Sequence, residues 1–263
     1  MTLLYIVLAT LAGGILSLLA AMLLIAGFPQ RWLPRLVGFA TGVLLAVALL
    51  DVLPEAFESG VEAHALFTTL LAGLLAFYGL ERIALWRHAH VDEEGHDHHC
   101  PSHGHHHHHA DTVGSHTVVS VLVGDSFHNF VDGVLIAAAF MASPALGWST
   151  TFAVVAHEIP QEAGDFAILR AAGMSTKRAL LFNGVSSLTA IAGGLIGYFA
   201  LGTLEGLLPY ILTIAAASFL YIAISDLLPL LRREGHRHTS MWQTGAMVAG
   251  IAVIALSAIG HGH

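Results

Sequence analysis

Gly42-Val-Leu-Leu-Ala-Val-Ala-Leu-Leu-Asp51-Val-Leu-Pro54 holds a single charged residue, Asp51, inside an apolar run that extends over residues 36–56. A helix that crosses the roughly 30 Å hydrocarbon layer of a bilayer needs about 20 mostly apolar residues, and this run meets that length. Outward from it, comparable runs bounded by charge, Pro or Gly lie near 3–27, 65–86, 117–141, 148–171, 179–203, 207–231 and 241–260. The 263-residue chain is 56% hydrophobic and only 11% charged, far below the roughly 25% charged residues of soluble domains. These observations predict an all-α integral membrane protein with eight transmembrane helices forming one domain over 1–263. The runs lack the ten-residue alternation of an outer-membrane barrel and are rich in Leu, Ala and Gly, as packed membrane helices are. The first run has no basic leader and is too long for a signal-peptide core, so a retained helix is expected.

Lys and Arg in short loops mark the cytoplasmic side. All ten fall on one side of the eight-segment scheme: Arg31 and Arg35, Arg82 and Arg87, Arg170, Lys177 and Arg178, and Arg232, Arg233 and Arg237. The opposite loops carry Glu55, Glu58, Glu62 and Glu205 and no basic residue. Both termini are therefore expected outside the cytoplasm. The opening stretch also has an echo in Ser218-Phe-Leu-Tyr-Ile-Ala-Ile-Ser-Asp226-Leu-Leu-Pro229, and both end in Asp-x-Leu-Pro. The second and seventh segments run in opposite directions, so the echo suggests an inverted repeat of segments 1–3 by 6–8, with segments 4 and 5 at the centre. The single cysteine, Cys100, cannot form an internal disulfide, and the formal charge of −8 says little while 19 histidines are left uncounted.

Segments 4 and 5 hold polar residues that a membrane helix normally avoids, since one ionisable group at mid-helix costs at least about 2.5–3.5 kcal/mol. In the fourth, Asp125, His128 and Asp132 follow a spacing of three and four along one stripe, with Asn129 beside it. In the fifth, His157, Glu158, Gln161, Glu162 and Asp165 repeat that spacing. Imidazole, carboxylate and amide donors without sulfur suit Zn(II), Fe(II), Mn(II) or Co(II) better than Cu(I). The ligand number is enough for one ion or two neighbours. Pro160 should open the fifth helix locally, and Gly133 and Gly164 offer close helix approach. Asp51 adds a candidate ligand from a third helix, with Asp226 as its structural counterpart. The outlying Asp125 and Asp165 suit an exit path or a partner to a ligand as well as direct ligation.

His128-Asn-Phe-Val-Asp132-Gly133 and His157-Glu-Ile-Pro-Gln-Glu-Ala-Gly-Asp-Phe-Ala-Ile-Leu169 closely resemble the ZIP family of zinc and iron transporters, whose members carry HNFxDG and HExPHExGDFAIL. Leu53-Pro54-Glu55-Ala56, Asp226-Leu-Leu-Pro229 and a His-rich loop extend the likeness over most of the chain. The resemblance implies eight helices in a three-two-three inverted arrangement, termini outside, a mid-membrane metal site on the fourth and fifth helices, and metal movement into the cytoplasm. His128, Asn129, Asp132, His157, Glu158 and Glu162 stand at family metal positions. Gln161 and Asp51 depart, each replacing an imidazole by an oxygen donor.

Between Arg87 and Thr117 lie twelve histidines, at 88, 90, 96, 98, 99, 103, 105–109 and 116, interspersed with Asp92, Glu93, Glu94 and Asp97. Such a segment buries no core; it is expected to be a cytoplasmic loop that either captures metal weakly or acts only as a linker. The leading expectation is a non-enzymatic carrier of divalent cations, zinc first and Fe, Mn, Co or Cd as alternatives, working by alternating access in the plasma membrane. Its partners are the metal and the lipid bilayer, with no nucleic acid and no catalytic cofactor, and pairing into a homodimer is left open. The rivals are an intramembrane zinc protease, weakened because His157-Glu-Ile-Pro-Gln161 lacks the second His of HExxH, and a metal sensor that does not transport.

Overall fold

In a computed structural model, the protein is described over residues 1–25, 32–93, 115–233 and 237–261. Those residues form helices throughout, with no strand among them. We number the rods α1 (Thr2–Ile25), α2 (Leu33–Glu58), α3 (Ala63–Glu93), α4 (Ser115–Ala142), α5 (Pro144–Ala171), α6 (Thr176–Thr203), α7 (208–233) and α8 (Arg237–His261). Six of them are long and apolar enough to cross a membrane. α5 is not among the six, because Glu158, Glu162 and Asp165 interrupt its apolar run, but its 28 residues span about 42 Å at 1.5 Å per residue.

Ser143 caps α5 by accepting a hydrogen bond from the Leu146 N–H at 3.2 Å, and Pro144 starts the helix where its missing N–H is harmless. α3 runs on to Glu93, past the edge expected near residue 86 and into the segment expected to be loop. Hydropathy marks where an apolar run ends, whereas a helix can continue through polar residues, and neither Gly nor Pro occurs between residue 86 and Glu93. Of the His-rich stretch, residues 94–114 lie outside the described residues, as do Cys100 and Arg31.

Pro160 sits inside an uninterrupted α-helix, so the expected local opening of α5 is not found there. The irregular turns occur in α2 and α7. The α-helix Leu33–Ala46 passes into a π-helical turn, Val47–Val52, before resuming as Leu53–Glu58. α7 does the same, from Leu208–Tyr221 through Ile222–Leu227 to Leu228–Arg233. Each π turn ends directly before Leu-Pro, and Asp51 and Asp226 occupy the same fifth position in the two turns. Pro54 and Pro229 lack an N–H and press on the carbonyl four residues earlier, and a wider turn relieves both problems.

The helices pack in two groups. α4 packs along α6, and α1 packs on α4, α5 and α6; α2 packs along α8 and α7, and α3 packs on α7. Glycine sets the closest approaches, as expected where lipid removes the hydrophobic drive between helices. A Cβ on Gly133 of α4 would meet the Ala190 carbonyl of α6, and one on Gly42 of α2 would meet the Met247 carbonyl of α8. Gly164, by contrast, has no neighbour that a Cβ would touch. Exchanging α1 with α6, α2 with α7, α3 with α8 and α4 with α5 maps the packed pairs onto one another: α2–α8 onto α7–α3, α4–α6 onto α5–α1, and α2–α5 onto α7–α4. Buried Leu44, Val47, Leu66, Ile136, Phe140 and Phe219 form the shared core. Large apolar side chains such as Leu8, Ile15, Leu71, Phe199 and Leu256 cover the outside, an arrangement suited to lipid.

Candidate metal site

α4 and α5 bring four side chains together. One donor atom from each of His128, Asp132, His157 and Glu158 lies within 4.8 Å of all the others. The Nε2 atoms of His128 and His157 are 3.2 Å apart, and Asp132 Oδ2 is 3.2 Å from His157 Nε2 and 3.6 Å from His128 Nε2. Glu158 Oε1 is 3.5 Å from His128 Nε2 and 3.9 Å from His157 Nε2. A tetrahedral zinc ion with donors at about 2.0–2.1 Å holds those donors roughly 3.3 Å apart, so the four are already near the spacing a single cation would impose.

The four differ in access. Asp132, His157 and Glu158 are buried, whereas 23% of the His128 side chain is exposed, so His128 forms the outer edge of the group. Both oxygens of Asp132 and both of Glu158 are buried without a hydrogen-bond donor. Carboxylates in that condition are strongly unfavourable unless a positive charge answers them. His157 Nδ1 lies 3.0 Å from the Ala153 carbonyl. A carbonyl only accepts, so Nδ1 carries the proton and Nε2 keeps its lone pair for a metal. Phe219 of α7 packs against this ring, with centroids 6.3 Å apart.

The other candidate carboxylates, Asp51, Asp125, Glu162 and Asp165, do not join this group. Asn129 is buried and donates from Nδ2 to Asp125 Oδ1 at 2.9 Å and to the Asp125 carbonyl at 3.1 Å. The second Asp125 oxygen receives the Ser186 hydroxyl. Glu162 is fully buried; its Oε1 accepts from Ser187 at 2.7 Å, and its Oε2 has no donor. Gln161 and Asp165 are half-buried on α5. Asp51 lies elsewhere, at a crevice of about 540 Å³ between α2, α5 and α8, where Ser149 donates to its carboxylate and Glu55 and Glu58 add further acid groups. Asn183, Ser186 and Ser187 of α6 were not among the residues expected at the site. Their spacing of three and four on one apolar segment was the available signal, although buried hydroxyls in membrane helices usually bond only to their own backbone.

A protein-family model described as ZIP Zinc transporter matches residues 1–258. The chain is 40% identical to the zinc transporter ZIP10 of Danio rerio over 150 residues, 54% of this chain and 18% of that protein. It is 47% identical to the zinc transporter ZIP4 of Mus musculus over 111 residues, 42% of this chain and 17% of that protein. With the zinc transporter ZIP6 of Homo sapiens the identity is 38% over 146 residues, 53% of this chain and 19% of that protein. The matched stretches thus cover about a fifth of each curated relative. A match running nearly end to end, on a membrane protein of helices whose two polar stripes converge on four metal donors, shows that the chain belongs to the ZIP zinc transporter family.

Proposed function

We propose that this chain carries a divalent transition-metal cation, zinc first, across a membrane and into the cytoplasm. The observation that supports this most is the convergence of His128, Asp132, His157 and Glu158, whose buried carboxylate oxygens have no donor within the protein. All four come from one chain, so the site needs no second copy to be complete. Nitrogen and oxygen donors without thiolate hold zinc, iron, manganese or cobalt loosely enough for release. Asn129, Glu162 and Gln161 extend the donors along α4 and α5, with Asp125 and Asp165 further along the same path. Asp51, with Glu55 and Glu58, suits the entrance from the outside.

Alternating access is favoured by the two packing groups, because α1, α4, α5 and α6 can move as a body carrying the site past α2, α3, α7 and α8. The matched π turns at Asp51 and Asp226 and the exchangeable packing pairs support the three-two-three inverted arrangement of eight membrane helices. The one-sided basic residues support both termini lying outside, in a membrane we take to be the plasma membrane, with the His-rich loop serving weak metal capture on the cytoplasmic face.

The test is flux. Purified chain in sealed proteoliposomes should accumulate Zn2+, and His128→Ala should lower the initial rate by on the order of 10- to 100-fold. Equal accumulation by the variant would remove His128 from the site. No accumulation by the unaltered chain, with any of Zn2+, Fe2+, Mn2+ or Co2+, would remove the transport reading.

A further inference from the structure

α6 contributes no side chain to the four-residue cluster, yet it makes two side-chain hydrogen bonds to the carboxylates that flank it. Ser186 donates to Asp125 and Ser187 donates to Glu162. The Ser186 contact belongs to a chain of three groups. The hydroxyl of Ser186 fills Asp125 Oδ2, which leaves Oδ1 and the backbone carbonyl of Asp125 to receive the Asn129 amide. All three residues are buried, with Ser186 at 2% exposure, Asp125 at 5% and Asn129 at 4%.

Direction follows from chemistry. A carboxylate and a carbonyl can only accept, so the Asn129 NH2 must face Asp125, and the amide oxygen is turned to the other side. Ser186 has one proton and three acceptors in reach: Asp125, the Asn183 carbonyl at 3.0 Å and the Phe182 carbonyl at 3.2 Å. The carboxylate is the strongest of these and the closest, so the proton goes there. If the hydroxyl is lost, Asp125 Oδ2 has no donor. The carboxylate is then free to rotate, and the amide is left with the Asp125 backbone carbonyl as its one fixed acceptor where it had two, so its orientation is held less firmly. Asn129 lies one residue after His128 and one turn before Asp132 along α4, and it shares a small cavity wall with Glu158. Its orientation therefore decides whether an oxygen or an NH2 is presented beside the cluster.

We propose that Ser186 is a positioning residue for the metal site: through Asp125 it locks the Asn129 amide so that its carbonyl oxygen is offered to the cation. The proposal rests on the metal-carrying reading above and adds a residue from a third helix. It makes α6 part of the body that holds the cation, since a shift of α6 against α4 would release the amide.

The experiment uses the full chain in detergent, with Zn2+ binding by calorimetry, Co2+ binding by visible absorption, and thermal unfolding without metal as the check on folding. Asn129→Ala should weaken Zn2+ binding on the order of 10-fold and change the intensity of the Co2+ bands, because an oxygen donor is lost. Ser186→Ala should produce the same change in both readouts, and Ser186→Thr, which keeps the hydroxyl, should restore them. Adding Ser186→Ala to Asn129→Ala should cause no further loss. If Asn129→Ala weakens binding while Ser186→Ala leaves affinity and bands unchanged, the positioning role is overturned and the metal site stands. A further equal loss in the double variant also overturns it, because Ser186 would then act without Asn129. Unchanged binding in Asn129→Ala overturns the donor role of Asn129 and the proposal together. If Ser186→Ala does not fold, Ser186→Cys, whose thiol is only a weak donor, decides: affinity lowered toward that of Asn129→Ala supports the role, and wild-type affinity overturns it.

Discussion

Asp132 and Glu158 keep two carboxyl groups in the membrane with no hydrogen-bond donor on any of their four oxygens. A group retained at such a cost serves a ligand better than it serves folding, and the two roles separate in one substitution. Asp132→Asn keeps the shape, removes the charge and leaves the two imidazoles in place. Without metal, the variant should unfold at the same temperature as the unaltered chain or higher. With Zn2+ at 100 times its dissociation constant, the unaltered chain should gain about 2.7 kcal/mol of stability, and the variant should gain little. Thermal melts in detergent, with chelator and with Zn2+, measure both numbers. A variant that melts lower in chelator and still responds fully to zinc would make Asp132 a structural residue. His157 has the complementary character: its Nδ1–H is held by the Ala153 carbonyl, so the ring is aimed before any ion arrives.

At the scale of the helix, small residues decide which rods can touch. Gly133 meets the backbone of α6 at Ala190, and a carbonyl in a helix cannot step aside as a flexible side chain can. Gly133→Ala should lower stability by about 1–3 kcal/mol, the range for overpacking, while Gly164→Ala should be neutral or gain up to about 1 kcal/mol from helix propensity. Melting curves of the two variants side by side check this, and equal effects would show that the α4–α6 contact does not limit stability. The two glycines looked alike in the sequence, since each lies among the polar residues of its segment; only the neighbour differs. Membrane helices themselves were legible, because their length is set by the bilayer. The stripes of α4 and α5 were legible because buried charge is rare there. Three features were not. The extension of α3 to Glu93 lies outside the apolar signal, and the π turns follow from Pro54 and Pro229, whereas Pro160 leaves α5 unbroken. The hydroxyls of Ser149, Ser186 and Ser187 cross between helices, and which helix they reach depends on packing that no local pattern encodes.

At the scale of the whole molecule, the packing pairs that exchange under the repeat are not equal in extent. α2 packs on α5, including its π turn, more extensively than α7 packs on α4, although the exchange maps one pair onto the other. An exact repeat would make the two alike, so under the proposed alternating access the inequality would belong to one end state, with the interfaces reversed in the other. On that proposal the α2–α5 contact would open in each cycle, while contacts inside a packing group would persist. Phe39 of α2 and Phe152 of α5 meet edge to face with centroids 6.2 Å apart, across the boundary between the groups. Ala137 of α4 and Gly197 of α6 meet within one group, where a Cβ on Gly197 would lie 3.1 Å from that of Ala137. With Cys100→Ser as background, Phe39→Cys with Phe152→Cys, joined by a short bifunctional thiol reagent, should reduce Zn2+ flux to the level of empty liposomes. Joining Ala137→Cys with Gly197→Cys should leave flux within about twofold of the unjoined protein, because no step of the cycle separates them. Unimpaired flux across a fully joined Phe39–Phe152 pair would mean that the cation passes without relative movement of the two groups, and the protein would then act as a channel.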